Sequence, residues 1–287
     1  MIILLQLAIG LIVSAGIGIA AYKRGALSKS GVAGAILTGT ASFGFGGWVW
    51  GMLLITFFVL SSLLSKYKES VKASLAEKFA KGSQRDVWQA LANAGVGALI
   101  ALAYPFFHHP TLFFAFIGAM ATVNADTWAT ELGVLSQRPP RLITTGARVE
   151  PGTSGGISPR GTLATLAGGF VIGLTATALM FIDEFLGGLG VSPTGGDSYA
   201  LALILPFVAA FSGLTGSLCD SLLGATVQAI YYSTAREKET ERPIDHDGTP
   251  NRLLRGWRWL NNDWVNFISS AVGAIMCAII WVLIAGG

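Results

Sequence analysis

The basic residues of this chain are confined to four short segments, and this distribution constrains the fold more than any other feature. All 19 Lys and Arg residues fall within residues 23–29, 66–85, 138–160 and 236–258. The stretches between these segments are apolar, and basic loops of membrane proteins mark the cytoplasmic side. The sequence therefore predicts an all-α, polytopic membrane bundle in which the four basic segments face the cytoplasm.

The composition agrees with a membrane protein and differs from that of ordinary soluble domains. Hydrophobic residues make up 52% of the chain and charged residues only 12%, against roughly 25% charged residues in soluble domains. The 37 glycines suit helices that approach each other closely in lipid. The net charge of +3 comes from the sorted loops, so we expect no nucleic-acid partner. We interpret Cys219 and Cys277, each inside an apolar run, as packing residues.

The charge pattern predicts a single integral-membrane domain over residues 1–287, with about eight spans and both termini on the non-cytoplasmic side. The predicted spans cover about residues 2–22, 31–64 (two spans or a re-entrant pair), 87–104, 111–135, 161–182, 199–231 and 265–285. Residues 31–64 cannot form one helix, because it would be ~51 Å long against a hydrocarbon core of about 30 Å. The glycine cluster FGFGG at 43–47 supplies the break.

The cytoplasmic loops are predicted at about residues 65–86, 136–160 and 233–264. The first contains apolar residues at helical spacing among basic ones, which is typical of an interfacial amphipathic helix on anionic lipid. Residues 233–250 have balanced charge and many turn-forming residues. They are predicted to form a mobile linker.

Carboxylates at membrane depth are the strongest indication of a functional site. Asp126 and Glu131 lie in the cytoplasmic half of the fifth span, and Asp220 lies near the cytoplasmic end of the seventh. An Asp at the centre of a spanning helix costs roughly +2.5 to +3.5 kcal/mol, and such residues are usually functional. Packing hydrogen bonds or the transport of protons or cations would also account for them.

Small and polar residues accompany these carboxylates on two spans. On the seventh span, a stripe of small residues shares one face with Asp220 at helical spacing. A face of the fourth span is also polar. The small and polar residues of each span could pack helices together or line a site, and packing is the commoner role of such residues. These residues are Gly213, Gly216, Ser217 and Gly224 on the seventh span, and Gln89, Asn93 and Gly97 on the fourth.

The loop before the sixth span has the composition of a phosphate-binding turn. A glycine-rich turn that opens a helix exposes backbone N–H groups at the positive end of the helix dipole, and Arg141, Arg148 and Arg160 add counter-charge. No Walker A or Rossmann pattern occurs, and a flexible linker is the alternative. Together with the carboxylates, the loop favours phosphoryl transfer, which needs Mg²⁺ on acidic oxygens and donors on the phosphates. The loop residues are Gly152, Thr153, Ser154, Gly155, Gly156 and Ser158.

Seven longer motifs are distributed along the chain from residue 23 to residue 269. They are KRGALSKSG (23–31), RDVWQALANAG (85–95), NADTWATELGVLS (124–136), PRLITT (140–145), GTSGGISPRGT (152–162), GSLCDSLLGATVQ (216–228) and RGWRWLNNDWVNFIS (255–269). This combination resembles the integral-membrane family that includes transmembrane protein 19 and the phytyl-phosphate kinase of tocopherol synthesis. The resemblance implies a kinase that converts an isoprenoid monophosphate, such as phytyl or geranylgeranyl phosphate, to the diphosphate. The donor would be a nucleoside triphosphate such as CTP.

The resemblance also implies roles for particular residues. Asp126, Glu131 and Asp220 would be the catalytic carboxylates and the Mg²⁺ ligands. The phosphate-binding set would be Gly152, Thr153, Ser154, Gly155, Gly156, Ser158, Arg141 and Arg160. A second group of candidates comprises Asn93, Asn124, Asn262, Asp263 and Asn266. For Asp263, a helix N-cap is the alternative role.

Two further functions stay open from the sequence. A cytidylyltransferase that makes a CDP-linked lipid would use similar elements and release pyrophosphate, and an ion-coupled transporter would also have glycine-broken spans and buried carboxylates. The predicted partners are the lipid bilayer, an isoprenoid monophosphate and a nucleoside triphosphate, and a homo-oligomer is compatible with the sequence. The predicted location is the cell membrane, with the active site facing the cytoplasm.

Overall fold

The computed structural model describes residues 2–67, 84–188, 199–245 and 247–285, and these residues form an all-α bundle with two small sheets. The helices are α1 (Ile2–Lys23), α2 (Lys29–Ala41), α3 (Trp48–Lys66), α4 (Val87–Ala103), α5 (Pro110–Gly133), α6 (Pro159–Phe185), α7 (Tyr199–Thr226) and α8 (Asn262–Ala285). Six of them, all except α2 and α4, are long and apolar enough to cross a membrane. The predicted fold class is thereby confirmed, and the side on which the termini lie stays a prediction.

The region predicted to cross the bilayer twice consists of two separate helices. Helix α2 continues into a π-helical turn at Ser42–Gly46, and α3 begins after Gly47. The φ of Gly47 is +93°, a left-handed conformation that only glycine adopts readily. From Lys29 to Gly46 the path measures roughly 27 Å at 1.5 Å per residue, close to the bilayer core. The break at the FGFGG cluster is therefore confirmed.

Local hydrogen bonds set the starts of several helices. Asp86 and Gln89 form a capping box at the start of α4, in which each side chain accepts a hydrogen bond from the other residue's backbone N–H. Ser158 caps α6 by accepting from the Gly161 N–H at 3.1 Å. The capping box gives Gln89 a structural role, in agreement with the packing interpretation of the polar face of α4.

Helix α5 is the central helix of the bundle, in contact with α3, α4, α6, α7 and α8, and residues 113–125 are buried without interruption. Close contacts hold α7 and α8 against it. A Cβ atom at Gly216 of α7 or at Gly273 of α8 would overlap Thr122 of α5. Gly216 is thus a packing position, as helices in lipid require at their closest approach.

The segment after α7 differs from the sequence-based prediction. The seventh span was predicted to reach residue 231, but α7 ends at Thr226. A three-stranded antiparallel sheet follows instead, and a two-stranded sheet precedes α6. The strands are β1 (Arg141–Leu142), β2 (Gly156–Ile157), β3 (Ile230–Ser233), β4 (Lys238–Thr240) and β5 (Arg252–Arg255). The order in the larger sheet is β4-β3-β5. Its central strand has two adjacent tyrosines, a residue type favoured in strands, and pairs with both neighbours.

The prediction of a mobile linker at residues 233–250 was therefore wrong. Side chains as well as strands order this segment, since Ser233 donates a hydrogen bond to Asp245 and Arg236 forms an ion pair with Asp245 at 3.2 Å. Most of the amphipathic helix predicted at residues 65–85 lies outside the described residues.

The sidedness of the loops gives a direct test of the topology. In a background with Ala at Cys219 and Cys277, we expect Thr144→Cys to react only with reagents that reach the cytoplasm and Phe107→Cys only with reagents applied outside. Both positions are exposed, and only the first lies in a basic segment. The measurement is labelling of intact and permeabilised cells with an impermeant maleimide. Reaction of both cysteines from the same side would contradict the predicted topology.

Candidate active site

One cavity lies between α5, α7 and the loop before α6, and it collects most of the residues that the sequence singled out. Its volume is about 200 Å³. Helix α5 contributes Asp126, α7 contributes Asp220, and residues 151–158 line the remaining side. The structure therefore brings together two of the three predicted carboxylates and the glycine-rich loop.

The two carboxylates are held by hydroxyl groups. The Oγ of Ser217 donates to Oδ1 of Asp126 at 3.2 Å, and the Oγ of Ser269 donates to Oδ2 of Asp220 at 3.3 Å. Both distances exceed the 2.5–3.0 Å that is usual for a hydroxyl donor. Within the described part of the chain, no basic side chain forms an ion pair with either carboxylate.

The cavity is lined by acidic side chains. Glu241 adds a third carboxylate to the lining, and no Lys, Arg or His is found there among the described residues. Carboxylates that share a small, partly buried space repel one another unless one takes up a proton or a cation lies between them. The arrangement therefore suits a bound cation.

The glycine-rich loop is ordered by its own turns and by contact with α7. Gly152 and Gly155 have φ values of +79° and +83°. A Cβ atom on Gly155 would lie 2.5 Å from the Cβ of Ala225 and 2.7 Å from its Cα. The loop thus rests directly on the last turn of α7, and the alternative of a flexible linker does not describe it.

Two backbone N–H groups of the glycine-rich loop already donate hydrogen bonds to carbonyls of the same loop. The N–H of Thr153 donates to the Glu150 carbonyl at 3.2 Å, and the N–H of Gly156 donates to the Thr153 carbonyl at 2.9 Å. The N–H groups of Ser154 and Gly155 donate to no backbone carbonyl in the ranges that the structure describes. These two are the donors that a ligand could engage.

A polar network that the sequence does not indicate joins the loop to the sheet. Oε1 of Glu241 accepts hydrogen bonds from the Ser154 hydroxyl at 3.0 Å and from the Gln228 amide at 2.9 Å. Arg255 donates to the Gly224 carbonyl at 2.6 Å. Gln228 and Arg255 lie inside conspicuous motifs, but Glu241 lies in the segment predicted to be a linker. Only the sheet brings it to the cavity.

Arg255 connects the strand β5 to the end of α7. Burial lowers the pKa of its guanidinium, and the nearby Glu239 and Glu241 oppose that shift. A second long contact reaches the Ser154 carbonyl at 3.5 Å. Arg255 is not among the residues that line the cavity, so we interpret it as a positioning residue for the loop.

Glu131 does not join the other two carboxylates. Its Oε1 accepts a hydrogen bond from Ser65 at 2.7 Å, and it interacts electrostatically with Arg85. Residues five positions apart on an α-helix point about 140° away from each other. Asp126 and Glu131 therefore lie on different sides of α5, and the geometry gives no support to the predicted ligand role of Glu131.

The two arginines predicted to bind phosphate also lie outside the lining. Arg141 donates to the Gly146 carbonyl at 2.8 Å, and Arg160 donates to the Leu135 carbonyl at 2.9 Å. Each guanidinium is exposed and stabilises a turn. Ser158 does line the cavity, although its hydroxyl is used as the cap of α6.

Two asparagines predicted as further candidates are placed elsewhere in the bundle. Asn124 is fully buried and donates to the Gly168 carbonyl at 2.8 Å, joining α5 to α6. Asn93 lines a separate apolar groove between the first four helices. Neither lines the acidic cavity.

At the start of α8, one predicted candidate reaches the cavity. Asn262 lines it, whereas Asp263 and Asn266 do not. The cap of α8 is also a different residue from the one expected, because Oδ1 of Asn261 accepts from the Trp264 N–H at 3.1 Å. Asp263 lies in the first helical turn, where a negative charge is favourable to the helix dipole.

Comparison with known proteins gives one family and several relatives, two of which match over nearly their full length. The family model described as integral membrane protein DUF92 matches residues 12–274. Protein PGR of Arabidopsis thaliana is 35% identical over 96% of both chains. The uncharacterized membrane protein MJ0933 of Methanocaldococcus jannaschii is 30% identical over 97% of this chain and 95% of its own. The chloroplastic protein VTE6 of Arabidopsis thaliana is 26% identical over 87% of this chain and 64% of its own. No solved structure matches significantly.

Proposed function

Because the chain belongs to the DUF92 family of integral membrane proteins, we propose that it is a membrane-embedded lipid-phosphate kinase. In the proposed reaction, a nucleoside triphosphate such as CTP donates its γ-phosphoryl group to an isoprenoid monophosphate such as phytyl or geranylgeranyl phosphate. The family that the sequence motifs resemble includes a phytyl-phosphate kinase, which supports this choice. The observation that carries the proposal is the meeting of Asp126, Asp220 and the glycine-rich loop in one cavity.

The donor set of the cavity fits Mg²⁺. The lining offers carboxylate, hydroxyl and amide oxygens, which are the ligands that this ion prefers, and it commonly uses one or two carboxylates together with substrate phosphates. The described residues contain no group of three or more metal-ligating side chains, so Asp126 and Asp220 would hold the ion jointly with phosphate oxygens. When bound, Mg²⁺ supplies the positive charge that offsets the repulsion between carboxylates and phosphates.

The loop and the start of α6 would hold the transferred phosphoryl group. The N–H groups of Ser154 and Gly155, which donate to no backbone carbonyl of the described residues, are suitable donors to phosphate oxygens. Helix α6 begins at Pro159, directly after the loop. The N-terminus of a helix attracts anions. Glu241 keeps the Ser154 hydroxyl in place, so the sheet would determine how precisely the loop meets its ligand.

The proposed transfer needs no dedicated base. An oxygen of the acceptor monophosphate, already largely ionised near neutral pH, forms the new bond to the γ-phosphorus. The bond from the γ-phosphorus to the bridging oxygen breaks, and the nucleoside diphosphate leaves with the electron pair. Positioning and charge neutralisation supply most of the catalysis in such reactions.

An apolar wall beside the carboxylates would accommodate the isoprenoid chain. Leu214 and Leu218 of α7 line the cavity next to Asp220. Leu218 and Leu222 are also exposed on the outer surface of α7, which faces lipid if α7 crosses the bilayer. The cavity thus combines a polar end for phosphates with an apolar side toward the membrane.

The decisive experiment identifies the products of the purified protein. With Mg²⁺, γ-labelled CTP or ATP and a panel of prenyl monophosphates, we expect labelled prenyl diphosphate and unlabelled nucleoside diphosphate. Release of pyrophosphate together with a CDP-linked lipid would show a cytidylyltransferase instead. Absence of any nucleotide turnover, combined with no thermal stabilisation by nucleotides, would contradict both enzymes and favour a transporter.

Ser154→Ala should give a moderate defect in this assay. It removes one hydrogen bond to Glu241 while Gln228 still donates to the same oxygen. A single hydrogen bond contributes about 0.5–1.5 kcal/mol, which corresponds to a loss of roughly twofold to tenfold in kcat/KM. The matched control is Thr144→Ala, an exposed position in the same loop. Equal rates for the two variants would exclude a role for the Ser154 hydroxyl.

A further inference from the structure

A second cavity opens at the ends of α1 and α3 and at the residues preceding α4, and its charge is opposite to that of the first. Its volume is about 240 Å³. Three cationic side chains, Arg24, Lys66 and Arg85, line it together with the hydroxyl-bearing Ser62 and Ser65. Of the described residues, no carboxylate belongs to this lining. We refer to it as the basic cavity.

Arg85 is held firmly in the wall of the basic cavity. Its backbone N–H donates to the Ala26 carbonyl at 3.1 Å, and its own carbonyl accepts from the Ser28 N–H at 3.0 Å. Its guanidinium lies 5.9 Å from the ring centroids of both Phe57 and Phe58. A cation placed over aromatic rings and anchored at its backbone is preorganised for an anion.

The positive charge of the basic cavity is balanced only in part by its described neighbours. Glu131 raises the pKa of Arg85, against the lowering caused by burial. Glu131 lies on the side of α5 that faces the basic cavity, where its carboxylate accepts a hydrogen bond from Ser65. Counted over the residues that the structure describes, one carboxylate near three cationic side chains leaves a site that favours an anion with more than one negative charge.

An apolar groove meets the basic cavity at Arg85. The groove lies between α1, α2, α3 and α4, and Arg85 belongs to the lining of both spaces. Aliphatic and aromatic side chains dominate it, among them Ile17, Leu54 and Ile55. A ligand that fills both spaces therefore needs an anionic head and a hydrocarbon chain.

We propose that the basic cavity and this groove bind a lipid phosphate monoester, with the phosphate at Arg24, Lys66 and Arg85 and one hydrocarbon chain in the groove. A phosphate monoester carries about −1.5 to −2 charges near neutral pH, which matches the excess of cations better than a phosphodiester headgroup does. Basic pockets between helices on the cytoplasmic side are suited to phosphate headgroups. The site lies on the Glu131 side of α5, away from Asp126, and the inference does not depend on the proposed kinase activity.

Binding to the purified full-length protein in detergent, without nucleotide, tests this site. The probes are dioleoyl phosphatidic acid as the lipid monoester, dioleoyl phosphatidylcholine as the phosphodiester lipid, and inorganic phosphate. We expect phosphatidic acid to raise the melting temperature and to remain bound in native mass spectrometry, and the other two to do neither. Equal stabilisation by inorganic phosphate would show a free-phosphate site and overturn the lipid assignment.

Paired variants separate this site from general charge attraction. Arg24→Gln with Lys66→Gln should weaken phosphatidic acid binding by about tenfold or more, since two charge-assisted contacts are lost. The control, Arg138→Gln with Arg252→Gln, removes the same charge from exposed positions elsewhere on the basic side and should bind as the wild type does. An equal loss in both double variants, or no loss in either, would contradict the proposal.

Two further variants test the groove and the separation of the two cavities. Ala35→Leu adds volume inside the groove and should weaken phosphatidic acid binding while the unliganded protein keeps its melting temperature. Asp126→Asn should leave that binding unchanged. Loss of lipid binding in Asp126→Asn, with a wild-type response in Ala35→Leu, would place the lipid in the acidic cavity and overturn the proposal.

Discussion

Replacing either Asp126 or Asp220 by Asn is expected to lower kcat/KM by about 100-fold to 1,000-fold, the range seen when a single group that stabilises transition-state charge is removed. Asn keeps the shape of Asp and can still accept the hydrogen bonds of Ser217 and Ser269. It loses the charge that would hold Mg²⁺. The measurement is the initial rate of labelled prenyl diphosphate formation over a range of Mg²⁺ concentrations.

Glu131→Gln is the matched control for these two variants. It also neutralises a carboxylate of α5, but its hydrogen bond goes to Ser65 on the other side of the helix. We expect it to keep most of its turnover. Without Mg²⁺, the two Asn variants should melt at or above the wild-type temperature, because a repulsion inside the acidic cavity is removed. Near-normal turnover in Asp126→Asn or Asp220→Asn would exclude that residue as a metal ligand.

Gly155→Val is expected to have the second large effect, with loss of nucleotide turnover and a lower melting temperature. A left-handed backbone costs a residue with a side chain roughly 1–2 kcal/mol, and overpacking adds about 1–3 kcal/mol. Both apply here, because the φ is +83° and Ala225 occupies the space that a Cβ would need. The lower melting temperature follows from the contact between the loop and α7, which the sequence does not indicate.

Gly146→Val separates the two contributions. Gly146 lies in the same loop with a φ of +70°, but no atom lies within 4 Å of a Cβ built there. It therefore tests backbone strain without the steric overlap. Thermal unfolding and nucleotide binding are measured for both variants. If Gly146→Val and Gly155→Val lose equal stability and equal binding, the docking of the loop on α7 makes no contribution.

The sequence contained enough information for the helices and for part of the acidic cavity. Charged side chains avoid the bilayer core, so the four basic segments delimit the helices without knowledge of any contact. The same cost makes Asp126 and Asp220 conspicuous, and the cluster of glycines before Ser158 marks a turn with left-handed residues. The basic segments, the two carboxylates and the glycine cluster are local signals. Each depends on a short stretch of chain and its surroundings, and not on a residue that is distant in the sequence.

Other features of the site depend on which faces of the helices pack against each other, and the sequence does not show this. The rotation of α5 separates Glu131 from Asp126, and nearby carbonyls take up the guanidinium groups of Arg141 and Arg160. Charge and spacing cannot reveal either outcome. The hydrogen bonds of a small sheet bring Glu241 to the Ser154 hydroxyl, although the composition of its segment resembles that of a linker.

The sequence by itself thus determined the all-α membrane class, the break after α2, and the two carboxylates and loop that line the acidic cavity. Only the tertiary structure decided that Gly155 packs on Ala225, that Glu241 belongs to the cavity and that Arg85 joins a basic cavity to an apolar groove. The physical reason is the range of the interactions involved. The free energy of transferring a side chain between water and lipid depends on that residue alone. Close packing and hydrogen bonding depend on partners that are often far apart in the chain.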